Sequence, residues 1–360
     1  MDVIDYEIEE INKIVEQIIC NSKIVACLRS LIRINIKQTL SRQITVCIRF
    51  PSNYPNEHLL VELKSLTISG KLLDGLTTLA EQKASEIQGK PQTLYVLKFI
   101  DNYLRENPLC IAYDEIAAIK ALLKQKNDLG TGGGEIKCLQ KTSMISLKVN
   151  GGNYYYKAKF HVPEEYPTKC VQMTEHKSNF PITLLRFING QAKEMARKCA
   201  EAPLRACDNS KFEVKPSLLP SLKFIIEAVV DFHNEMCPVC GFMCLPNDPS
   251  DIEVKDTADK YVERVFCGHI YHLGCLKTYV RTPPFPPNGK TCPAKKAHPR
   301  SDHKGSNIAL PKKTKKTDVD TCGIRISHDR WGLNVKLAEA RWVHQEARKR
   351  ELEEVKDFLQ

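Results

Sequence analysis

Seven cysteines and four histidines crowd the stretch from Cys237 to Cys322, and no other feature constrains the chain as strongly. Cys237-Pro238-Val239-Cys240 sets two thiols across a tight turn. Two residues between ligands let both sulfurs reach one tetrahedral ion. Cys267-Gly268-His269-Ile270-Tyr271-His272-Leu273-Gly274-Cys275 then offers four more ligands, with Gly268 and Gly274 at the bends. Cys292-Pro293 follows, but Lys295 stands where a paired cysteine is expected. His298, His303 and Cys322 are candidates for an eighth ligand. Joining Cys292-Pro293-Ala294 directly to Cys322 would restore a two-residue spacing, which favours Cys322, although a gap of five residues to His298 can also close on metal. The 27 residues from Lys295 to Thr321 are polar, basic and aperiodic. They read as a loop inserted into a finished motif, or as a short intron retained in frame. Cys244 lies too close to Cys240 to fit the pattern and reads as a spare thiol. His233 and His328 read as binding nothing.

Composition decides between metal and disulfides. The chain has 15 cysteines, an odd number, and opens on an acidic segment, Met1 to Glu10, with no basic and apolar leader. The expected location is the cytoplasm or nucleus, where thiols stay reduced and cluster around metal. The eight other cysteines are scattered and read as small buried hydrophobes. Two structural zinc ions are therefore expected, since eight ligands fill two tetrahedra and leave no open coordination position. The segment has too few large apolar residues to build a core, so metal is expected to supply much of its folding free energy. No apolar run approaches the roughly 20 residues that cross a bilayer. The net charge of +10 includes a run at Lys312-Lys313-Thr314-Lys315-Lys316. It reads as a solvated loop, and no aromatic residues interleave it as a nucleic-acid platform requires.

Ahead of this segment the chain reads as two blocks of mixed α and β structure, 1–108 and 109–234. In the first, Ile4, Ile8, Ile11, Ile14, Val15 and Ile18 recur at helical spacing. Arg33–Lys37, Gln43–Phe50 and Leu59–Leu63 read as strands, and Leu94–Leu104 as a closing helix. In the second, Tyr113–Lys124 is an amphipathic helix. Gly130–Gly134 is a turn, and Ser143–Val149 and Tyr154–Val162 are strands joined at Asn150-Gly151-Gly152-Asn153. Phe50-Pro51-Ser52-Asn53-Tyr54-Pro55 is echoed by Val162-Pro163-Glu164-Glu165-Tyr166-Pro167, and Leu97-Lys98-Phe99-Ile100 by Leu222-Lys223-Phe224-Ile225. Matching landmarks in matching order point to an internal duplication.

This layout resembles the RWD family, an α+β fold related to ubiquitin-conjugating enzymes, with a helix, an antiparallel meander, a Tyr-Pro turn and closing helices. The chain has no His-Pro-Asn triplet of the conjugating enzymes, so no cysteine inherits their thioester role. The order Cys237, Cys240, Cys267, His269, His272, Cys275, Cys292 resembles a RING-H2 finger. The resemblance implies a cross-brace: Cys237, Cys240, His272 and Cys275 on one ion, and Cys267, His269, Cys292 and an eighth ligand, with Cys322 favoured, on the other. It further implies docking of a ubiquitin-conjugating enzyme at Val239 and Pro293, with Tyr279 or Phe285 standing in for the tryptophan many RING fingers carry.

The expected architecture is thus α+β: RWD-like domains at 1–108 and 109–234, a RING-H2-like finger at 235–332 with a basic insertion at 295–321, and a charged helix at 333–360. Leu337, Ala340, Val343 and Ala347 give that helix one apolar stripe, and Trp342 is a possible anchor. The implied function is an E3 ubiquitin ligase without a covalent catalytic residue, whose partners are a conjugating enzyme and a protein substrate. The alternative is a non-catalytic zinc-binding scaffold.

Overall fold

The computed structural model describes residues 2–130, 132–202, 212–286, 289–295, 322, 324–326 and 331–359. It is a mixed α and β chain in which one order of elements occurs twice. The first set is α1 (Val3–Ile18), β1 (Ser22–Leu28), β2 (Leu31–Lys37), β3 (Gln43–Arg49), β4 (Leu60–Lys64), α2 (Gly70–Ser85) and α3 (Thr93–Glu106). The second is α4 (Tyr113–Asp128), β5 (Gly133–Leu139), β6 (Met144–Gly151), β7 (Tyr154–His161), β8 (Gln172–Ser178), α5 (Ile182–Ala200) and α6 (Leu218–Phe232). Gly133 and Gly134, expected in a turn, open β5 instead. β9 (Val262–Arg264), β10 (Ile270–His272), α7 (Leu273–Arg281) and α8 (Trp331–Leu359) follow.

Each set builds a four-stranded sheet in sequential order, β1-β2-β3-β4 and β5-β6-β7-β8. In the first sheet the register sets Ile34 opposite Val46 and Val46 opposite Leu63. Side chains alternate across a strand, so Ile32, Ile34 and Ile36 all enter the core and are fully buried. They meet Ile11 and Val15 of α1, Leu73, Leu76 and Ala80 of α2, and Val96, Leu97 and Ile100 of α3. The α1 stripe is narrower than its isoleucines suggest: Ile18 is exposed, and the buried residues include Glu7.

Glu7 is explained by the Tyr-Pro turn. Tyr54 donates its hydroxyl to Glu7, and the hydroxyl accepts from the Gln92 backbone N–H at 3.0 Å. Glu7 also accepts from the Thr93 backbone N–H at 3.0 Å and from the Thr93 hydroxyl. These amides open α3, where no intrahelical acceptor exists, and the carboxylate also suits the positive end of the helix dipole. The second set repeats the device. Tyr166 donates to Glu115 of α4, and its hydroxyl accepts from the N–H groups of Ser217 and Leu218 at 2.8 and 3.1 Å. Glu115 accepts from the Leu219 N–H at 2.8 Å at the start of α6. Burial, reinforced by the neighbouring carboxylate, pushes both tyrosine hydroxyls well above their usual range.

The chain divides into two compact units. One comprises Met1–Val149, Tyr156–Lys177 and Asn189–Glu227, and the other Asn150–Tyr155, Ser178–Ile188 and Ala228–Gln360. Within the second unit, the tip of the β6–β7 hairpin packs with the cysteine-rich segment: Asn153 Nδ2 donates to the Asn247 carbonyl at 2.9 Å and the Tyr154 hydroxyl to the Pro246 carbonyl at 2.7 Å. Gly151 is required at that tip, because a Cβ there would lie 2.2 Å from the Val229 carbonyl oxygen. Thr183 of α5 donates to the Val262 carbonyl at 3.0 Å, and the Arg264 guanidinium sits 3.5 Å over the Phe187 ring. Residues on both sides of the expected boundary at 234 therefore share one compact unit.

α8 buries Trp331 and Val335 in its first turns and packs on α7. The expected stripe is not its buried face: Leu337 and Val343 are 50% and 54% exposed. The buried apolar residues of the helix fall in those first turns, and further along Trp342 is half-buried. No described helix is long and apolar enough to cross a membrane.

Replacing Tyr166 by Phe keeps the ring and removes the hydroxyl that serves Ser217 and Leu218. Leaving buried amides without an acceptor is expected to cost about 1–3 kcal/mol. In a denaturant titration, the Tyr166→Phe midpoint should fall with an unchanged slope. An unshifted midpoint would show that the hydroxyl contributes nothing.

Candidate metal centre

The first pair of thiols sits in a knuckle built by its own backbone. Cys237 N–H donates to the Phe242 carbonyl and Gly241 N–H to the Cys237 carbonyl, both at 2.8 Å. Gly241 adopts φ +72°, a left-handed conformation that a side chain would strain. Met236 and Met243 bridge across the base of the knuckle. Both Cys237 and Cys240 thereby face the same side of the turn as the next element.

That element is the β9–β10 hairpin. Arg264 pairs with Ile270 and Val262 with His272, and Gly268 turns the chain at φ +95°. The turn carries Cys267 and His269. The far end carries His272, which caps the N-terminus of α7, and Cys275 falls in the first turn of that helix. The hairpin thus sends two ligands to each of its ends.

A second short ladder completes the arrangement. Cys292 N–H donates to the Ile324 carbonyl at 2.9 Å, Cys322 N–H to Ala294 at 2.7 Å and Ile326 N–H to Lys290 at 2.9 Å. Thr291 and Arg325 form a bridge in it. Residues 290–294 pair antiparallel with Cys322, Ile324, Arg325 and Ile326, which brings Cys322 beside Cys292. Lys295 is exposed. The rest of the expected insertion, with His298 and His303, lies outside the described residues, as does His328.

Two groups result: Cys237, Cys240, His272 and Cys275, and Cys267, His269, Cys292 and Cys322, with the ligand atoms of each group within 4.8 Å of one another. His272 Nδ1 is 3.4 Å from Cys240 Sγ and 3.9 Å from Cys275 Sγ. His269 Nδ1 is 3.4 Å from the sulfurs of both Cys267 and Cys292. A tetrahedron with metal–sulfur bonds of about 2.3 Å and metal–nitrogen bonds of about 2.0 Å has edges of roughly 3.5–3.8 Å, so these separations suit an ion such as zinc. Both histidines present Nδ1. The other ring nitrogen of His272 lies 3.1 Å from the Met243 carbonyl, which selects the tautomer with a free Nδ1 lone pair. Hydrogen bonding from Cys244 pulls the Cys237 thiol below its ordinary range, and bonds from Cys267 and Cys292 do the same for Cys322. Cys267 and Cys275, in the same groups, are pushed above it, the first by hydrogen bonding to Cys292 and the second by burial. Cys244 itself is buried, donates to the Ile270 carbonyl at 3.2 Å and belongs to neither group.

The four residues expected to meet a partner are distributed around this centre. Val239 lies between two ligands of the first group and is exposed. Pro293 follows Cys292 and is half-buried. Tyr279 donates its hydroxyl to the Thr291 carbonyl at 2.7 Å. Lys290 is buried between the rings of Tyr279 and Phe285, at 4.7 and 4.9 Å, and caps the end of α7 by donating to the carbonyls of Tyr279 and Thr282. Burial lowers its pKa. Phe285 is also covered by Trp342, with ring centroids 5.7 Å apart. Sequence reasoning did not single out Met236, Phe242 and Met243, which are exposed on the first knuckle together with Val239. Their signal is available in the sequence: apolar residues beside metal ligands in a turn too short to bury them.

No protein-family model matches the chain, and no curated protein matches it.

Replacing Cys322 by Ser should cost the chain one metal ion and spare the Cys237 group. Cys244→Ser should retain the full metal content. Elemental analysis of the purified variants reads both outcomes, and undiminished metal in Cys322→Ser would remove Cys322 from the ligand set.

Proposed function

We propose that the chain is a RING-type E3 ubiquitin ligase that holds two structural zinc ions. The observation that carries this reading is the interleaving of the two ligand groups. Along the chain, the first, second, fifth and sixth ligands form one group, and the third, fourth, seventh and eighth form the other. Such a cross-brace can be closed by metal where the apolar content is too low for a core. Zinc, when bound, supplies folding free energy and rigidity; three thiolates and one imidazole leave it no open position for hydrolysis. The chain's own residues then act by binding and orientation. Met236, Val239, Phe242 and Met243 present apolar side chains from a rigid knuckle, a surface suited to docking a ubiquitin-conjugating enzyme. The two α+β sets, read as RWD-like domains, supply the surface for a substrate or partner. Zinc thiolates require a reducing compartment, so the proposed location is the cytoplasm or nucleus.

A non-catalytic scaffold is the alternative. The covering of Phe285 by Trp342 favours it, because it removes one of the expected docking rings from the surface. Ubiquitin transfer by the purified chain with a panel of conjugating enzymes separates the two readings: ligase activity is expected, and no activity with any of them would favour the scaffold.

Val239→Arg should abolish that transfer while leaving the metal content unchanged, since the side chain is not a ligand. A guanidinium forced into an apolar contact would lack a partner and should cost several kcal/mol of docking energy, roughly that of a hot spot. Transfer at the wild-type rate would exclude Val239 from the docking surface.

Removal of metal by a strong chelator should abolish transfer and lower the helical signal of the second unit. It should leave the first unit cooperatively folded, as read by circular dichroism and a denaturant titration. Unchanged transfer by the metal-free chain would contradict a structural role for zinc.

A further inference from the structure

Tyr271 lies on β10 between His269, a member of the second group, and His272, a member of the first. Its side chain is fully buried, and its hydroxyl oxygen is 2.9 Å from Cys292 Sγ. A buried phenol requires a hydrogen-bond partner, and here the partner is a sulfur of the second Cys/His group. A metal-bound thiolate carries no proton, so the hydroxyl is the donor. The Tyr271 backbone pairs with Glu263 in the β9–β10 hairpin, which fixes the direction in which its side chain leaves the strand. The sulfur is also held from its own backbone, by the Cys292 N–H bond to Ile324.

We propose that Tyr271 is a positioning residue for the second metal site, donating its O–H to the Cys292 thiolate and slowing metal release from that site alone. The inference rests on the reading of the two groups as zinc sites. Three thiolates leave such a site with an excess negative charge in a buried setting. A hydroxyl that donates to one of them draws off part of that charge and holds the sulfur in its ligating position. The first group is braced differently, through the His272 ring and the Met243 carbonyl. Loss of the Tyr271 hydroxyl should therefore be felt at one site only.

The experiment uses the full chain loaded with two equivalents of zinc, and Tyr271→Phe, which keeps the ring. On addition of an excess of a chromogenic chelator, one of the two ions should leave the variant about 10- to 100-fold faster, the usual scale for losing such an outer hydrogen bond, and the other at the wild-type rate. Cobalt(II) gives a readout that packing alone would not move. A hydrogen bond lowers the energy of the sulfur lone pair, so its removal should shift the sulfur-to-metal charge-transfer band to longer wavelength. Tyr154→Phe, whose hydroxyl bonds the Pro246 carbonyl instead of a sulfur, should change neither measurement. Wild-type release rates with an unmoved band, equal acceleration of both ions, or loss of the fold in Tyr271→Phe would each overturn the proposal. A wild-type chain that holds fewer than two ions would overturn the zinc reading first, and the proposal with it.

Discussion

A carboxylate at the mouth of a helix organises each α+β set, Glu7 buried in the first and Glu115 half-buried in the second. Glu7 and Glu115 come from the first helix of their set, and the helices they cap come last. An ionised carboxylate is too costly to bury without partners. The N-terminal amides of a helix are also costly to bury unmet. Each group satisfies the other, and the tyrosine between them draws the loop after the third strand into the same network. Gln92 extends it in the first set, accepting from Leu59 N–H and donating to the carbonyls of Pro55 and Glu57. Ser217 plays a comparable part in the second, accepting from Val171 N–H. First helix, loop and last helix are thus tied by polar contacts, while the sheet supplies the apolar area.

The cysteine-rich segment is built on the opposite principle. It has a small apolar interior of its own, with Leu245, Val262, Val265, Leu273, Leu276 and Val280 buried. Its order comes from convergence of ligands that sit on short, separately defined pieces: a knuckle, a hairpin and a backbone ladder. None of these is stable at such length alone. Metal is a natural means of holding them together, because one group joins the knuckle to the far end of the hairpin and the first turn of α7, and the other joins the hairpin turn to the ladder. The same geometry leaves the first knuckle with exposed apolar residues it has no means of burying. An apolar surface on a frame that metal can stiffen has the properties a docking site needs, since little conformational freedom is lost on binding.

Two tyrosine roles illustrate how one side chain serves both designs. Tyr54 and Tyr166 bridge a carboxylate and helix amides, where the hydroxyl both donates and accepts. Tyr271 points its hydroxyl at a sulfur. In each case the ring contributes buried area, and the hydroxyl adds a donor to an acidic group.

Local patterns made much of this legible in the sequence. The alternation of Ile32, Ile34 and Ile36, the repeated Tyr-Pro hexapeptide and the spacing of the cysteines each depend on neighbours within a few residues, so periodicity reports them directly. α2 is less visible, because its buried positions include Ala80 and Ala84, whose small side chains give a weak apolar signal. β8 is mostly exposed and polar, so its strand character comes from pairing at the edge of a sheet, which no local pattern encodes. The α+β character, the repeated order of elements and seven of the eight candidate ligands can be read from the sequence alone. That Cys322 joins Cys292, that Glu7 and Glu115 cap helices, that Trp342 covers Phe285 and that Tyr271 addresses the Cys292 sulfur emerges from the folded chain. These are contacts between residues distant along the chain, set by backbone ladders and desolvation, and a pattern read within one window of sequence carries no record of them.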